Sequence, residues 1–426
     1  MAPPDNDTIA QLLSQYRPQT LAALLRTFRD LDLAVNAWQD AAMRARLLWP
    51  GSGLPGDPLA WLVACGRNAG LAPVRAQGSA LSDPDYVADS VDANTGIQRN
   101  EDFVPFRDDT LRLLYICANP GLPPGYQIPL LLQAVCGMTV QQIAHAFLIR
   151  EPAMAQRIAR AKRRVAETGT SFDEPAAHER AARLAAVLAM VYLLFSEGYA
   201  SSSGRQYIRM ELCEEAIRLA RLLARMFPHD GGALGLAALL MLQHARAGAR
   251  VDAKGALILL DDQDRRRWNQ ALIDEALPMV DTALHCRELT PYQIQAAVAA
   301  VHAQAGEAAE TDWAEIDRLY AVLQVVHPSP IVTLNRAVAV DKLRGPTAAL
   351  VLIEPLAAEL SGYAYYFSVR GMLLKRLGRD TDAQAAMLAR ARTGQQRAGG
   401  QPYRYDAEFT VSIAKSGQSV AGCPLV

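Results

Sequence analysis

Positive charge gathers in a short segment near residue 160. Six basic residues share it: Arg150, Arg157, Arg160, Lys162, Arg163 and Arg164. Apolar residues recur on the opposite side at helical spacing: Met154, Ile158, Ala161 and Val165. A helix of this kind buries its apolar stripe and holds cations at the spacing of backbone phosphates, which predicts contact with duplex DNA. A basic helix that is only solvated is the alternative.

The residues just before this segment form a second helical pattern. Residues 140–147 and 152–167 are predicted as two short helices, and residues 148–151 connect them. Pro152 suits the first turn of a helix, because the N–H that proline lacks has no partner there. Two short helices with so tight a connection predict a helix-turn-helix. This setting favours DNA contact over a solvated face.

Polar residues that a plain helical scaffold does not need recur in the C-terminal half. They are Glu197, Tyr199, Arg246, Asp262, Asp264, Arg265, Trp268, Tyr292, Gln295, His302, Asp312, Trp313, Asn335 and Arg336. Stacked helical pairs can bring such groups to a concave surface, as a pocket for a small molecule or a groove for a peptide. They can also form a buried hydrogen-bond network that fixes the packing. We expect His302 to be a hydrogen-bonded helix residue.

No catalytic motif accompanies these residues. The chain has no G-x-S-x-G, no H-E-x-x-H, no P-loop and no glycine-rich dinucleotide turn. An acid/base pair such as Glu197 with His302 leaves no local signature, so enzymatic activity stays open. The six cysteines lie far apart and form no metal-binding motif. We therefore expect buried free thiols, no metal and no cofactor.

Composition narrows the class of protein. The chain has 426 residues, enough for two or three domains, and its 43 basic and 44 acidic residues nearly cancel. A nucleic-acid surface must therefore be a local patch. The N-terminus lacks the basic and apolar segments of a secretory signal. The longest apolar stretch, residues 184–195, is too short to span a bilayer, so we expect a cytoplasmic protein without a membrane segment.

Hydrophobic periodicity predicts an all-α fold. Apolar residues recur at i, i+3, i+4 and i+7 almost throughout. The N-terminal block, residues 1–75, contains helical patterns at 9–31, 34–48 and 58–69, and Gly66, Gly70 and Pro73 predict an end to the third. Residues 76–106 are polar and aperiodic, as in a linker. Residues 107–172 contain four short helices, at 108–118, 125–135, 140–147 and 152–167.

The C-terminal block, residues 176–395, reads as an α-solenoid-like series of helical pairs. Residues 363–392 have the helix, tight turn and helix of a tetratricopeptide-like (TPR-like) repeat, with Gly378 at the turn. Residues 329–356 form a second such unit, with Gly345 and Pro346 at its turn. Residues 249–260 alternate in polarity and predict a small β-hairpin. The tail, residues 396–426, stays unassigned.

The helix-turn-helix residues resemble a known family. The segment from Gly137 to Leu148, with Met154-Ala155-Gln156-Arg157 and Arg160-Ala161-Lys162-Arg163, resembles region 4 of bacterial extracytoplasmic-function sigma factors. The subgroup with a TPR-like C-terminal extension is the most similar. Further matches are Asp30-Leu31-Asp32-Leu33-Ala34, Trp49-Pro50, Pro58-Leu59-Ala60-Trp61-Leu62, Glu197-Gly198-Tyr199, Asp262-Gln263-Asp264-Arg265 and Pro291-Tyr292-Gln293-Ile294-Gln295.

This resemblance implies a protein that joins core RNA polymerase. Region 2 would open the downstream promoter element and region 4 would read the upstream one. Region 2 is degraded here. Gln39 and Asp40 of the polymerase-docking motif remain, but Val35, Asn36 and Ala42 stand where the family has two acids and a phenylalanine. The dense basic run of the family's third helix is reduced to Arg67 and Arg75.

Three functional hypotheses follow. The first is a sigma-factor-like regulator that binds promoter DNA and core RNA polymerase and is controlled by its C-terminal helical domain. The second is a sigma-like scaffold adapted to another use, whose C-terminal polar pocket binds or transforms a small molecule. The third is an adaptor that binds protein partners through its repeats. Fold-level resemblance alone does not decide among them.

Overall fold

The described part of the chain is helical, as the periodicity predicts. A computed structural model describes residues 4–78, 107–119, 121–147, 149–167, 177–199, 210–250, 252 and 258–398. Within these ranges there are seventeen α-helices and no strand. The chain divides into two compact units, Met1–Val187 and Leu188–Val426. The all-α class is therefore confirmed, and the two N-terminal helical groups lie in one unit.

The first unit contains seven helices and the start of an eighth. They are α1 Asn6–Phe28, α2 Leu31–Ser52, α3 Pro58–Gly78, α4 Arg107–Cys117, α5 Pro124–Ala134, α6 Val140–Ala146, α7 Glu151–Glu167 and α8 Ala177–Tyr199. Helices α1, α2 and α3 pack together, and α7 packs on α5 and α6. The four helices predicted between residues 107 and 172 are all present, each within one residue of its predicted bounds.

The second unit is a series of helices that pack on their neighbours along the chain. It contains α9 Met210–Met226, α10 Gly231–Ala245, α11 Gln270–Leu284, α12 Pro291–Gln304, α13 Trp313–Val326, α14 Pro330–Arg344, α15 Pro346–Ile353, α16 Ala364–Arg376 and α17 Asp380–Ala398. Short 3-10 segments lie at Ala247–Ala249, Leu260–Asp262 and Arg265–Arg267. The helical pairs α14–α15 and α16–α17 fall where repeat units were expected.

Two boundaries in the N-terminal group differ from the sequence prediction. The break between α1 and α2 lies at Arg29 and Asp30, earlier than predicted, since Arg29 adopts a left-handed conformation (φ 53°) and the Asp30 side chain accepts from Leu33 N–H at 2.9 Å. Helix α3 continues past Gly70 and Pro73. A Cβ at Gly70 would lie 2.4 Å from the Phe28 ring, so this glycine lets α3 approach α1 closely instead of ending it.

Arg17 ties the two helical groups of the first unit together. Its guanidinium donates to the carbonyl oxygens of Gln133 and Ala134 at 2.7 and 3.2 Å, at the C-terminal end of α5. A cation there satisfies carbonyls that have no helical partner and opposes the negative end of the helix dipole. The guanidinium carbon also lies 5.5 Å from the centre of the Trp38 ring. Burial lowers the pKa of Arg17 to about 10, which leaves it charged at neutral pH.

Other expectations fall partly outside the described residues. Residues 251 and 253–257 of the predicted hairpin lie outside them. The two described flanks are joined by a backbone hydrogen bond, which Ile258 N–H donates to the Arg250 carbonyl at 2.8 Å. The tail lies outside them from residue 399 onward. Five cysteines in the described ranges are free thiols, and burial raises the pKa of Cys117 and Cys213 to about 12. These two thiols therefore stay protonated and inert.

Helix α8 extends beyond the apolar stretch, residues 184–195, that was singled out from the sequence. Its residues Arg180–Tyr199 could cross a membrane by length and composition alone. However, 56% of its most apolar window is buried within the protein, as in the core helix of a soluble protein.

Gly235 offers a test of packing in the second unit. A Cβ at this position would lie 2.7 Å from the backbone nitrogen of Gln293 in α12, and backbone atoms cannot turn aside as a side chain can. We expect Gly235→Ala to lower the free energy of unfolding by about 1–3 kcal/mol. The control is Gly248→Ala, whose Cβ would meet nothing closer than 3.7 Å. Urea denaturation measures both, and equal stability of the two variants would contradict this packing.

Candidate functional site

A capping box fixes the start of α6, the first helix of the predicted helix-turn-helix. Gln142 N–H donates to Thr139 Oγ1 at 3.1 Å, and Thr139 N–H donates to Gln142 Oε1 at 2.8 Å. This reciprocal pair satisfies two backbone donors that the helix itself cannot. The turn is closed by Ile149 N–H, which donates to the Ala144 carbonyl at 3.0 Å. Helix α7 begins immediately after Arg150, whose carbonyl accepts from Met154 N–H at 3.1 Å.

Helix α7 has one apolar side and one basic side. Its four apolar residues, Met154, Ile158, Ala161 and Val165, are all buried, as the periodicity predicts. Four of the six basic residues are exposed, namely Arg150, Arg160, Arg163 and Arg164, and Arg157 is half-buried. Because the apolar stripe is held against α5 and α6, Arg150, Arg160 and Arg163 face solvent. This arrangement leaves them able to contact phosphates.

Lys162 is placed differently from the other cations of α7. Its Nζ lies 2.6 Å from Asp32 Oδ1 of α2, and its side chain is only 12% exposed. A lysine whose ammonium is paired within the fold has little left to offer a phosphate. Lys162 therefore does not share the exposed position of Arg160 and Arg163, with which the sequence analysis grouped it.

The predicted polymerase-docking residues lie on the exposed side of α2. Gln39 and Asp40 are exposed, and Met43 and Leu47 continue the same helix face one and two turns later, at 58% and 74% exposure. Met43 and Leu47 therefore give this exposed face an apolar part. Val35, by contrast, belongs to the core.

In the second unit, Tyr199 and Arg246 join one buried network. The Tyr199 hydroxyl donates to the Gln243 carbonyl at 3.1 Å, and the Arg246 guanidinium donates to Gln243 Oε1 at 3.0 Å. The Arg246 guanidinium also lies 3.4 Å from the Tyr199 hydroxyl. Gln243 was not singled out from the sequence. The sequence feature that could have identified Gln243 is its position within the long apolar run of α10, a helix that is buried on all sides.

Arg265 binds the end of α12. Its guanidinium donates to the His302 and Ala305 carbonyls at 2.7 and 2.8 Å and to Thr311 Oγ1 at 2.8 Å. Trp268 lies beside it, with its ring centre 5.2 Å from the Arg265 guanidinium carbon and 6.0 Å from that of Arg246.

Several other predicted pocket residues hold local structure. Asp264 accepts from Arg266 N–H at 3.1 Å and pairs with the Arg266 side chain on the surface. Asp312 caps α13 through Glu315 N–H at 2.9 Å. Arg336 pairs with Asp317 at 2.7 Å, between α14 and α13.

The remaining predicted pocket residues lie on several elements of the second unit. Asn335 is buried in α14. Tyr292 and Gln295 are buried in α12, where the Tyr292 ring centre lies 5.7 Å from that of Tyr192. Glu197 is half-buried in α8. Asp262 is exposed at the end of a 3-10 segment.

A small cavity lies beside the Tyr199 network. Its lining residues are Tyr192, Phe195, Ser196, Tyr199, Leu239, Leu240, Gln243 and Gln295. It leaves about 10 Å³ for the centre of a water molecule, which is the lower limit for one water. Two of the predicted residues, Tyr199 and Gln295, therefore share a cavity. Within the described residues, no group of three or more His, Cys, Asp or Glu side chains is placed to hold a metal.

His302 is a buried, neutral imidazole. Burial is the main cause that lowers its pKa to about 3, and the positive charges of Arg246 and Arg265 lower it further. Its ring centre lies 5.4 Å from that of Trp313. With a pKa so far below 7, His302 is poorly suited to take up a proton at neutral pH.

The buried state of His302 makes stability depend on pH. An unfolded imidazole binds a proton below about pH 6.5, whereas the folded one does not until about pH 3. Protonation therefore favours the unfolded state. The contribution of the neutral His302 to the free energy of unfolding is complete above pH 6.5 and is lost as the pH falls toward 3. From pH 7.5 to 5.0, we expect His302→Gln to lose about 2 kcal/mol less stability than the unsubstituted chain. Urea denaturation at both pH values measures this, and equal losses would contradict a neutral His302.

Two parts of the chain match known protein families. Residues 114–165, which contain α5, α6 and most of α7, match the model of sigma-70 region 4. Residues 183–284 match a family of unknown function, DUF6596. An uncharacterized protein of Rhizobium meliloti (strain 1021) is 52% identical over 384 residues, which cover 90% of this chain and 91% of that protein. No solved structure matches the chain. The chain therefore belongs to the same family as this rhizobial protein, and it is a sigma-factor-like protein with a helix-turn-helix region 4 and a DUF6596 domain.

Proposed function

We propose that the protein is a transcription factor of the extracytoplasmic-function sigma type, which binds promoter DNA through α7 and associates with core RNA polymerase. The observation that carries this proposal is the orientation of α7, whose apolar stripe is buried while Arg150, Arg160 and Arg163 face solvent. A helix held in this way can lie in a major groove. The match of residues 114–165 to sigma-70 region 4 supports the same role.

Five cations of the α7 segment form the DNA surface in this proposal: Arg150, Arg157, Arg160, Arg163 and Arg164. Each phosphate contact releases counterions, so binding weakens with salt by a slope of about 0.9 per contact. Lys162 is outside this surface, because its ammonium pairs with Asp32. Asp32 thus gives Lys162 a structural role in holding α7 to α2.

Charge reversal on α7 tests the DNA surface. We expect Arg160→Glu with Arg163→Glu to weaken binding to a promoter-length duplex at least tenfold and to reduce the salt slope by about 2, since two phosphate contacts are lost. Lys162→Met should leave the salt slope unchanged. Fluorescence anisotropy at several salt concentrations measures both quantities.

A matched control separates this effect from a change in net charge. Arg287→Glu with Lys375→Glu removes the same charge from two exposed positions of the second unit. This control should bind DNA as the unsubstituted chain does. If the control weakens binding as much as the α7 variant, or if the chain ignores the duplex at low salt, the DNA proposal is wrong.

The exposed face of α2 is the proposed polymerase contact. It combines Gln39 and Asp40, which match the family's docking motif, with Met43 and Leu47. An apolar centre with a polar rim is typical of protein interfaces. Retention of this face is consistent with polymerase binding even though region 2 has lost its basic run.

Transcription and pull-down assays test this contact. We expect the purified chain to direct run-off transcription with core RNA polymerase, and Leu47→Glu to reduce the product at least tenfold by placing a charge in the apolar centre. Leu388→Glu, at a similarly exposed position of α17, is the control. Absence of product, together with no retention of polymerase by the unsubstituted chain, would overturn this part of the proposal.

The C-terminal helices complete the proposal. We take residues 1–75, 107–172 and 176–395 as region 2-like, region 4-like and TPR-like domains, with 76–106 as a linker and the C-terminal domain as the controlling element. The helical pairs α14–α15 and α16–α17 support the repeat character. A sigma-like role implies a soluble protein of the bacterial cytoplasm.

A further inference from the structure

A buried guanidinium in the second unit has only neutral partners. Arg246 is 8% exposed, and its hydrogen-bond partners are Gln243 Oε1 and the Tyr199 hydroxyl. Among the described residues, no carboxylate lies within ion-pair distance of it. A buried charge without a counterion is costly, because neutral hydrogen bonds replace only part of its hydration. The face of the Trp268 ring, whose centre lies 6.0 Å from the Arg246 guanidinium carbon, offsets part of this charge, but no anionic side chain does.

The groups around Arg246 add to that charge. Burial lowers the pKa of Arg265, nearby Asp261 raises it, and the positive charge of Arg246 lowers it further. All three of the Arg265 contacts are neutral oxygens. The acids that act on Arg265 have other partners: Asp261 pairs with Lys342, and Glu310 accepts from the backbone N–H of Gly306.

Several hydrogen-bond donors here are buried and unused. Arg246 Nε, Arg265 Nε, Trp268 Nε1 and Gln295 Nε2 have no partner among the described residues. Buried donors are nearly always satisfied in folded proteins, so such a group calls for an acceptor from outside the protein, a water or a ligand atom. The Trp268 ring lies within 6.0 Å of both guanidinium carbons, which brings three of these residues together. Donors next to two cations suit a negatively charged acceptor.

We propose that Arg246, Arg265 and Trp268 form a binding site for the anionic group of a small molecule, a phosphate or a carboxylate. The ligand's oxygens accept from Arg246 and from Trp268 Nε1 and compete with the neutral contacts of Gln243 and Tyr199 to the Arg246 guanidinium. Gln243 and Tyr199 also line the small cavity, so the cavity adjoins this site. This site is independent of α7 and of DNA binding.

Anion titration tests the site on the full-length protein. Inorganic phosphate and acetate are added in separate series, with sodium chloride adjusted to hold the ionic strength constant. We expect at least one anion to raise the Tm saturably, by roughly 5 °C, and to change tryptophan fluorescence. A response to phosphate alone indicates a phosphate-bearing ligand, and a response to acetate alone indicates a carboxylate.

Substitutions assign the response to these residues. Arg246→Gln should weaken anion binding at least tenfold, Arg246→Lys should retain part of it, and Trp268→Phe should remove most of the fluorescence change. The matched control is Arg266→Gln, two residues from Trp268, whose side chain is 90% exposed and pairs only with Asp264. It should bind as the unsubstituted chain does.

The proposed anion site is wrong if neither anion gives a saturable response at constant ionic strength, or if Arg246→Gln responds to the anions as Arg266→Gln does. Should Arg246→Gln fail to give a helical circular dichroism spectrum and a cooperative melt, Arg246→Lys and Trp268→Phe decide the question in the same assay. None of these measurements involves DNA or polymerase, so failure here leaves the proposed transcription role untouched.

Discussion

The burial of one apolar stripe on α7 determines what the rest of that helix can do. Met154, Ile158, Ala161 and Val165 are held against α5 and α6, and this contact sets the rotation of the helix about its axis. With this rotation, Arg160 and Arg163 point into solvent. The surface proposed for DNA is thus a consequence of hydrophobic packing on the other side of the helix, and the capping box of α6 fixes the geometry that leads into it.

The two helical groups of the first unit are joined by polar contacts. Arg17 reaches from α1 to the carbonyls at the end of α5, and Lys162 pairs with Asp32 across α7 and α2. Gly137 makes the first contact feasible, because its φ of 76° and its missing side chain leave room for Arg17. A cation at a helix C-terminus and an ion pair with one exposed partner each contribute modest free energy, so these contacts specify an arrangement more than they stabilise it.

The second unit has a different physical character. Its helices pack closely along the chain, as where Gly235 of α10 meets the backbone of α12. Within that packing, polar side chains are used in two ways. Arg265, Asp312 and Arg336 hold elements in place through hydrogen bonds and ion pairs. Arg246 and Trp268 instead retain unused donors, which is why they suggest a ligand.

The sequence by itself determined the all-α class and the helices between residues 107 and 167. Hydrophobic periodicity and capping residues such as Thr139 depend only on residues close together in the chain. It misplaced the end of α3, because whether Gly70 ends a helix or admits Phe28 depends on a partner distant in the chain. Tertiary structure alone decided that Lys162 pairs with Asp32 while Arg160 stays exposed. It also decided which polar residues lie together, since burial and charge at Arg246 come from helices far apart in sequence.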